Sequence, residues 1–444
     1  MRLLILTFVF LVKTTPVELN LNQGVINGDA NDKVEVYRGV PYAQPPVGDL
    51  RWRPTVGIDS FETLKQHIHK CPQGDENPGT IMIGEQEDCL TLNIFRPVYL
   101  DENEELPILI YFHGGSHNYG SSHSPLYDGT LLSSSYRQIV ITANFRLGIF
   151  GFMNYWDNVP TGGNYGLMDQ QEVIQFIRDN AENIQGDKNR ITIFGESSGA
   201  EAVSYHVINK KSASMISNAI VQSATYWWNS NPTSQTEQIN DVIDEICSRL
   251  EKCCSVKESV QATIDSLRLC DGMEVFQTYR AMEIEDPLLY FQFFPVNKDG
   301  VFFVEDAKKI HEQCKVSFDG SIIHGGNSFE GSLLYLAGKF VPATFKPNEI
   351  RKVFALWYPF VPVPLWQHEF IISKYFEVYK EYFPYAPHYR FLESEDAFML
   401  MALIYGDFGF RKPSLEQSVQ YQKCGIKVFS YFLDVETQWD PGRG

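Results

Sequence analysis

The ten residues from Ile191 to Ala200, Ile-Thr-Ile-Phe-Gly-Glu-Ser-Ser-Gly-Ala, constrain the fold more than any other stretch of the 444-residue chain. Residues 191–194 are apolar or β-branched and predict a buried strand, and residues 200–207 predict a helix directly after it. Between them, Gly195 and Gly199 flank Ser197 in the pattern Gly-x-Ser-x-Gly, which is typical of a sharp strand-to-helix turn that exposes a serine hydroxyl. The sequence therefore predicts Ser197 as a nucleophile at the carboxyl end of a strand.

Short apolar runs elsewhere have the composition of strands that are buried on both faces. These runs are Leu106–Phe112, Gln138–Ala143, Arg190–Phe194, Ala219–Gln222, Ser321–His324 and Lys427–Leu433. Apolar residues at helical spacing from Leu167 to Ile184, with Asp169 placed to open that helix, predict that helices alternate with the strands. Antiparallel strands are predicted within Gln23–Arg38, and a helical, aromatic-rich insertion over the sheet edge within 226–383. This pattern predicts an α/β fold with a mostly parallel central sheet flanked by helices.

The net charge limits the possible binding partners, and the N-terminus predicts the cellular compartment. A formal charge of -18 argues against binding to nucleic acid or to an anionic membrane surface. Residues 1–16 combine a basic residue with an apolar run too short to span a bilayer, which predicts a secretory signal peptide whose cleavage site is uncertain. We therefore expect a signal peptide (1–16), one domain (17–444), no transmembrane segment, and a location outside the cell or in the ER lumen.

Eight cysteines fit the oxidising compartment that a signal peptide implies. Cys71 and Cys89 enclose a polar stretch with glycine and proline, which predicts a surface loop closed by a disulfide. A second bridge is expected in the next cysteine-rich region, with Cys247 and Cys270 the leading candidates. Its pairing stays open, as does that of the remaining cysteines, Cys253, Cys254, Cys314 and Cys424. No histidine lies close to the adjacent pair Cys253-Cys254, so no metal site is predicted.

A second glycine turn follows the predicted strand Leu106–Phe112. In His113-Gly-Gly-Ser116, Gly114 supplies the turn, while Gly115 and Ser116 can direct backbone N–H groups toward a reacting carbonyl. The N–H of Ser198, the residue after the nucleophile, is the third expected donor of this oxyanion hole. A flexible turn without a catalytic role is the alternative, and the position of this turn relative to Ser197 favours the oxyanion hole.

Five separate motifs resemble those of the type B carboxylesterases, a group that also contains the cholinesterases and some non-catalytic adhesion proteins. The motifs are Tyr37–Trp52, Glu87–Phe95, Asn144–Gly148 with Gly151-Phe152, Gly163–Gln171, and the turn around Ser197. The resemblance covers nearly everything after the predicted signal peptide. It implies an α/β-hydrolase fold, the disulfide Cys71–Cys89, a small-molecule carboxylic ester as substrate, and neither metal nor organic cofactor.

The resemblance also implies the acid of a catalytic triad. Glu330 stands in Gly325-Gly-Asn-Ser-Phe-Glu-Gly331 after a predicted strand, where it would orient the imidazole of the base. The family places that histidine shortly after the last strand, a position that residues 434–444 do not reach. His368 and His388 follow Glu330 without such a motif, and His113 and His117 are expected in structural or substrate-facing roles.

Two hypotheses for the function follow. The first is a serine ester hydrolase of the secretory pathway that forms an acyl-enzyme on Ser197, with the base beyond residue 444 in a longer product. The 444-residue form is then expected to be nearly inactive and to expose apolar surface beside its last strand. The alternative is a non-catalytic binding or adhesion protein of the same fold. Cholinesterases carry a tryptophan between their first two cysteines, and cation–π binding of choline needs that ring. No tryptophan lies between Cys71 and Cys89 here, so no choline subsite is predicted.

Overall fold

The computed structural model describes residues 14–62, 67–73, 84–101, 103–153, 163–223, 232–250, 260–285, 298–332, 365–382, 384–386, 388, 390, 392 and 394–434. Ten strands within these residues form a single sheet in the order β1-β2-β3-β4-β6-β5-β7-β8-β9-β10. Their bounds are β1 (Thr15–Leu21), β2 (Gly24–Ala30), β3 (Val34–Pro41), β4 (Thr91–Pro97), β5 (Leu106–Phe112), β6 (Ile139–Ala143), β7 (Gly186–Glu196), β8 (Asn218–Gln222), β9 (Ser321–Asn327) and β10 (Lys427–Leu433).

Helices connect and cover these strands. Their bounds are α1 (Thr130–Tyr136), α2 (Gly148–Phe152), α3 (Tyr165–Asp179), α4 (Ser198–Ile208), α5 (Lys210–Ala213), α6 (Pro232–Arg249), α7 (Val260–Arg268), α8 (Gly272–Glu285), α9 (Ala307–Glu312), α10 (Leu365–Val378), α11 (Ser394–Gly406) and α12 (Lys412–Lys423). No helix in the described part of the chain is long and apolar enough to cross a membrane.

The sheet has an antiparallel part and a parallel part. Strands β1 to β4 pair antiparallel with one another in turn, and β4 pairs antiparallel with β6. From β6 onward, through β5, β7, β8, β9 and β10, every pairing is parallel. Parallel strands require crossover connections, and helices supply them here. The predicted α/β class with a mostly parallel central sheet is confirmed.

The parallel part is apolar because helices cover it on both faces. Side chains of β5 and β6 such as Ile108, Ile110, Phe112, Ile139 and Ile141 are fully buried. Strand β10 lies at the edge of the sheet, where Phe429, Phe432 and Leu433 are about half exposed. The carboxyl ends of β5, β7, β8 and β9 therefore meet at one edge of a rigid sheet, which is where ligand sites form in such folds.

Two predictions about helices are wrong. Helix α3 begins at Tyr165 rather than at Asp169, and it ends before Ala181 and Ile184. Asp169 is fully buried inside the helix because its carboxylate pairs with the guanidinium of Arg146. Moreover, residues 226–383 do not form one helical insertion: β9 runs through this stretch and pairs with both β8 and β10.

The disulfides confirm one pairing and correct another. Cys71 and Cys89 are bonded, as the resemblance implies. Cys314 and Cys424 form a second bridge, which ties the end of α9 to the end of α12. The candidate pair Cys247–Cys270 is wrong, because Cys270 is disulfide-bonded whereas Cys247 is a buried thiol. The predicted signal peptide falls mostly on residues 1–13, outside the described residues, and β1 begins at Thr15.

Candidate active site

The predicted nucleophile occupies the tight turn between β7 and α4. Ser197 has φ 55° and ψ -129°, a backbone conformation that non-glycine residues rarely adopt and that is found mainly at functional sites. A Cβ on Gly195 would lie 2.5 Å from the carbonyl carbon of Gly199, and one on Gly199 would lie 2.1 Å from the carbonyl oxygen of Phe112. Both glycines are therefore required by the close approach of strand and helix. The Ser197 N–H donates to the carbonyl of Gln222, 2.9 Å away, which ties the turn to β8.

The glycine turn after β5 packs directly against Ser197. A Cβ on Gly114 would lie 3.1 Å from the Cβ of Ser197 and 2.7 Å from the carbonyl oxygen of Glu196. Among the described residues, no protein acceptor lies within hydrogen-bonding distance of the N–H groups of Gly115, Ser116 or Ser198. The three predicted donors thus belong to two segments that meet at Ser197.

His113 holds this turn together. Its side chain is buried, and its ring packs 4.4 Å from that of Phe145. Because the Gly114 carbonyl only accepts hydrogen bonds, the Nδ1 of His113, 2.9 Å away, must donate to it. Burial lowers the pKa of His113 to about 4, so the imidazole is neutral at physiological pH. These contacts give His113 a structural role, as the sequence analysis expected.

Glu330 begins a 3₁₀ turn, Glu330–Ser332, that follows β9. Its Oε1 accepts from the backbone N–H of Asn327 at 2.6 Å, and its Oε2 accepts from the Asn327 side-chain amide at 3.3 Å. A Cβ on Gly331 would lie 1.8 Å from the carbonyl oxygen of Ala402 on α11, so the glycine after the acid is required by helix packing. Glu330 also lines a cavity of about 50 Å³ together with Ser223 and Tyr431.

Among the described residues, no imidazole contacts Ser197 or Glu330. His324 lines the same cavity as Glu330, but its Nδ1 lies 2.7 Å from the hydroxyl of Ser418 and its Nε2 lies 3.3 Å from that of Ser414, both on α12. The ring of His388 packs 6.3 Å from that of Phe376, and His368 is buried on α10. A base for Ser197 is therefore not among the contacts of the described residues.

The sequence analysis gave no role to Glu196, the residue before the nucleophile. The protein around its carboxylate and the charge of Glu330 together raise the pKa of Glu196 to about 7, even though the side chain keeps access to solvent. Burial, with a smaller contribution from the negative charge of Glu196, raises the pKa of Tyr111 and of Tyr127. The site thus holds two carboxylates, one of which binds a proton near neutral pH. Burial of Glu196 and the proximity of Glu330, both set by the tertiary structure, cause this shift.

Comparison with known proteins decides the family. A family model described as "Carboxylesterase family" matches residues 15–442. The chain belongs to the carboxylesterase family. The predicted resemblance to type B carboxylesterases is confirmed, and with it the α/β-hydrolase fold. Family membership supports a carboxylic ester hydrolase as the general type of activity.

Individual members of the carboxylesterase family match over different lengths. The cholinesterase of Mus musculus is 29% identical over 447 aligned residues, which cover 96% of this chain and 70% of that protein. The fumonisin B1 esterase of Sphingopyxis macrogoltabida is 37% identical over 209 residues, 45% of this chain and 38% of that enzyme. A solved structure of a PNB esterase shares the fold with a TM-score of 0.73 at 22% identity, covering 96% of this chain and 81% of that one.

Within the described ranges, no group of three or more histidine, cysteine, aspartate or glutamate side chains is placed to hold a metal ion.

Proposed function

We propose that this chain carries the nucleophile, the oxyanion donors and the triad acid of a serine carboxylic ester hydrolase of the secretory pathway that forms an acyl-enzyme on Ser197. One observation carries the proposal: the strained Ser197 meets a second turn whose N–H groups, with that of Ser198, have no acceptor in the described residues. Preorganised donors of this kind stabilise the oxyanion of an acyl-transfer intermediate. Two disulfides in the described residues support an oxidising compartment, outside the cell or in the ER lumen.

The proposed reaction has two steps. The Ser197 hydroxyl oxygen attacks the ester carbonyl carbon as a histidine base takes its proton, and the N–H groups of Gly115, Ser116 and Ser198 hold the oxyanion. The bond to the alcohol oxygen breaks, and the alcohol leaves with the proton from the imidazole. Water then attacks the acyl-enzyme by the same route and releases the carboxylic acid. Glu330 is assigned the role of orienting the imidazole and stabilising its protonated form.

The test supplies the imidazole from solution. We expect the 444-residue protein to hydrolyse simple aryl esters no faster than its Ser197→Ala variant, because no imidazole contacts Ser197 in the described residues. Added imidazole should raise the rate of the parent protein above that of Ser197→Ala. The same imidazole concentrations applied to Ser197→Ala give the background rate of imidazole itself.

Each outcome decides between hypotheses. A rate clearly above that of Ser197→Ala without added imidazole would show that the chain already holds a base and would direct attention to His368 and His388. Equal rates for the two proteins at every imidazole concentration, together with no labelling of Ser197 by a fluorophosphonate in intact-mass spectra, would contradict the hydrolase proposal. The alternative of a non-catalytic binding protein would then be favoured.

A further inference from the structure

The turn that carries the proposed oxyanion donors is built from three consecutive residues with positive φ. Gly115 has φ 115°, Ser116 has φ 54° and His117 has φ 55°. Glycine adopts such angles freely, but serine and histidine do so only where the surrounding structure holds them. Something must therefore hold Ser116 and His117 in place.

Helix α4 provides part of this support through the backbone. The N–H of His117 donates to the hydroxyl oxygen of Ser198, 3.0 Å away, in a buried hydrogen bond between residues 81 positions apart. On the other side, the His117 carbonyl accepts from the N–H of Gly148 at 2.8 Å. The peptide units before and after His117 are thus held by α4 and α2, and α4 begins at Ser198, directly after Ser197.

The His117 side chain is held by the same helix. Its Nε2 lies 3.4 Å from Oε2 of Glu201, and the hydroxyl of Tyr205 donates to Oε1 of Glu201 at 2.9 Å. Ser198, Glu201 and Tyr205 are spaced three and four residues apart, so they share one face of α4.

Burial makes these contacts strong. The side chains of His117 and Glu201 are 1% and 4% exposed, and the His117 ring packs 4.4 Å from that of Phe152. A carboxylate in such a place is costly unless it accepts hydrogen bonds, and the hydroxyl of Tyr205 donates one to Glu201. The His117 ring is thus enclosed between Phe152 and the Glu201 carboxylate of α4.

We propose that the Ser198 hydroxyl, supported by the His117–Glu201 pair, positions the oxyanion turn relative to Ser197. Ser198 then acts twice: its N–H is an oxyanion donor, and its hydroxyl fixes the segment that carries the donors of Gly115 and Ser116. Ser198, His117 and Glu201 are positioning residues, and this assignment rests on the proposed hydrolase function.

The first measurement does not depend on activity. Hydrogen exchange is followed by mass spectrometry in peptides that cover residues 113–120. We expect exchange in this turn of Ser198→Ala to be about tenfold faster, because the N–H of His117 loses its acceptor and the strained turn opens more often. Ser204→Ala, which removes a buried hydroxyl from the same helix, is the matched control and should leave the turn unchanged. Unchanged exchange in Ser198→Ala would overturn the proposal.

The second measurement links the turn to the oxyanion. The Ser197 oxygen can bond to the boron of phenylboronic acid as the hydroxyl proton passes to solvent, which gives a tetrahedral boronate anion detected by ¹¹B NMR and absent in Ser197→Ala. Loss of one positioning hydrogen bond should weaken this binding about fivefold to tenfold in Ser198→Ala. In a Ser116→Gly background the same substitution should cost about twofold or less, because glycine adopts positive φ without support.

The two measurements separate the possible failures. If the parent protein forms no tetrahedral boronate, the proposed function is contradicted, and the exchange experiment alone decides the positioning role. If the parent protein forms the boronate and Ser198→Ala binds it equally well, the positioning role is wrong and the hydrolase proposal stands. A merely structural role would lower the thermal stability of Ser198→Ala without changing boronate affinity.

Discussion

Removing the carboxylate of Asp169 is expected to destabilise the protein strongly. Asp169 is fully buried on α3 and accepts hydrogen bonds from the backbone N–H of Arg146 at 2.9 Å and from its guanidinium at 2.8 Å through both Nε and Nη2. The hydroxyl of Thr55 donates to the same carboxylate at 2.5 Å. Arg146 follows β6, so this carboxylate joins the end of a core strand to a helix.

The size of the expected loss of stability follows from the burial of Arg146, the partner of Asp169. In Asp169→Ala the Arg146 side chain, only 3% exposed, would keep its charge without a counterion. Breaking a buried pair in this way costs about 3–5 kcal/mol. The pair of Arg137 with Glu104 is also close, at 2.5 Å, but its side chains are 52% and 27% exposed. Glu104→Ala should therefore cost far less stability than Asp169→Ala.

Urea unfolding followed by tryptophan fluorescence gives these free energies for the parent protein, Asp169→Ala and the control Glu104→Ala. The double variant Arg146→Met with Asp169→Leu should recover most of the loss, because it leaves no buried charge unpaired. The reasoning is refuted if Asp169→Ala loses no more stability than Glu104→Ala, or if the double variant is as unstable as the single one.

Three further outcomes are expected. Gly199→Ala should lower stability by about 3 kcal/mol or more, since its Cβ would meet a β5 carbonyl oxygen at 2.1 Å. Among the described residues outside its chain neighbours, a Cβ on Gly84 would meet no atom nearer than 3.7 Å, so Gly84→Ala should be neutral. Thermal melts of both variants measure this difference. Cys314→Ser opens a bridge between residues 110 positions apart and should cost about 2–4 kcal/mol in urea; an unchanged midpoint would contradict this. Burial raises the pKa of Glu172 from 4.5 to about 7. The contribution of this shift to folding stability is therefore fully present below pH 4.5 and is lost as the pH rises through 7. Glu172→Gln should therefore be more stable than the parent by about 1–2 kcal/mol at pH 8 and equal to it at pH 4; a difference independent of pH would argue against the shift.

The turns that carry the candidate site residues are short segments whose geometry is encoded locally. Gly195 and Gly199 bracket Ser197 in a strand-turn-helix segment, and the packing distances at these glycines show why no other residue fits. The glycine turn at Gly114 follows a strand that has the predicted bounds Leu106–Phe112. The role of Glu330 is predicted only from the resemblance, because nothing local separates it from a solvated surface glutamate.

The wrong predictions concern residues whose interaction partners lie far away in the chain. Asp169 resembles an ordinary residue of a helix N-terminus, yet it lies inside α3 because Arg146, 23 positions earlier, needs a counterion. The pairing of Cys270 was mispredicted because spacing along the chain does not determine which sulfurs meet.

The sequence by itself determined the strand-helix alternation, the strained nucleophile turn and the family, because periodicity, glycine placement and motifs act over a few residues. Only the tertiary structure decided which side chains meet across the sheet. It places the charge of Glu330 close enough to Glu196 to raise a pKa, and it brings the N–H of His117 to the hydroxyl of Ser198. Such contacts depend on the order of β5, β7, β8 and β9 in the sheet. The packing of the whole domain fixes that order, and interactions between residues adjacent in the chain do not.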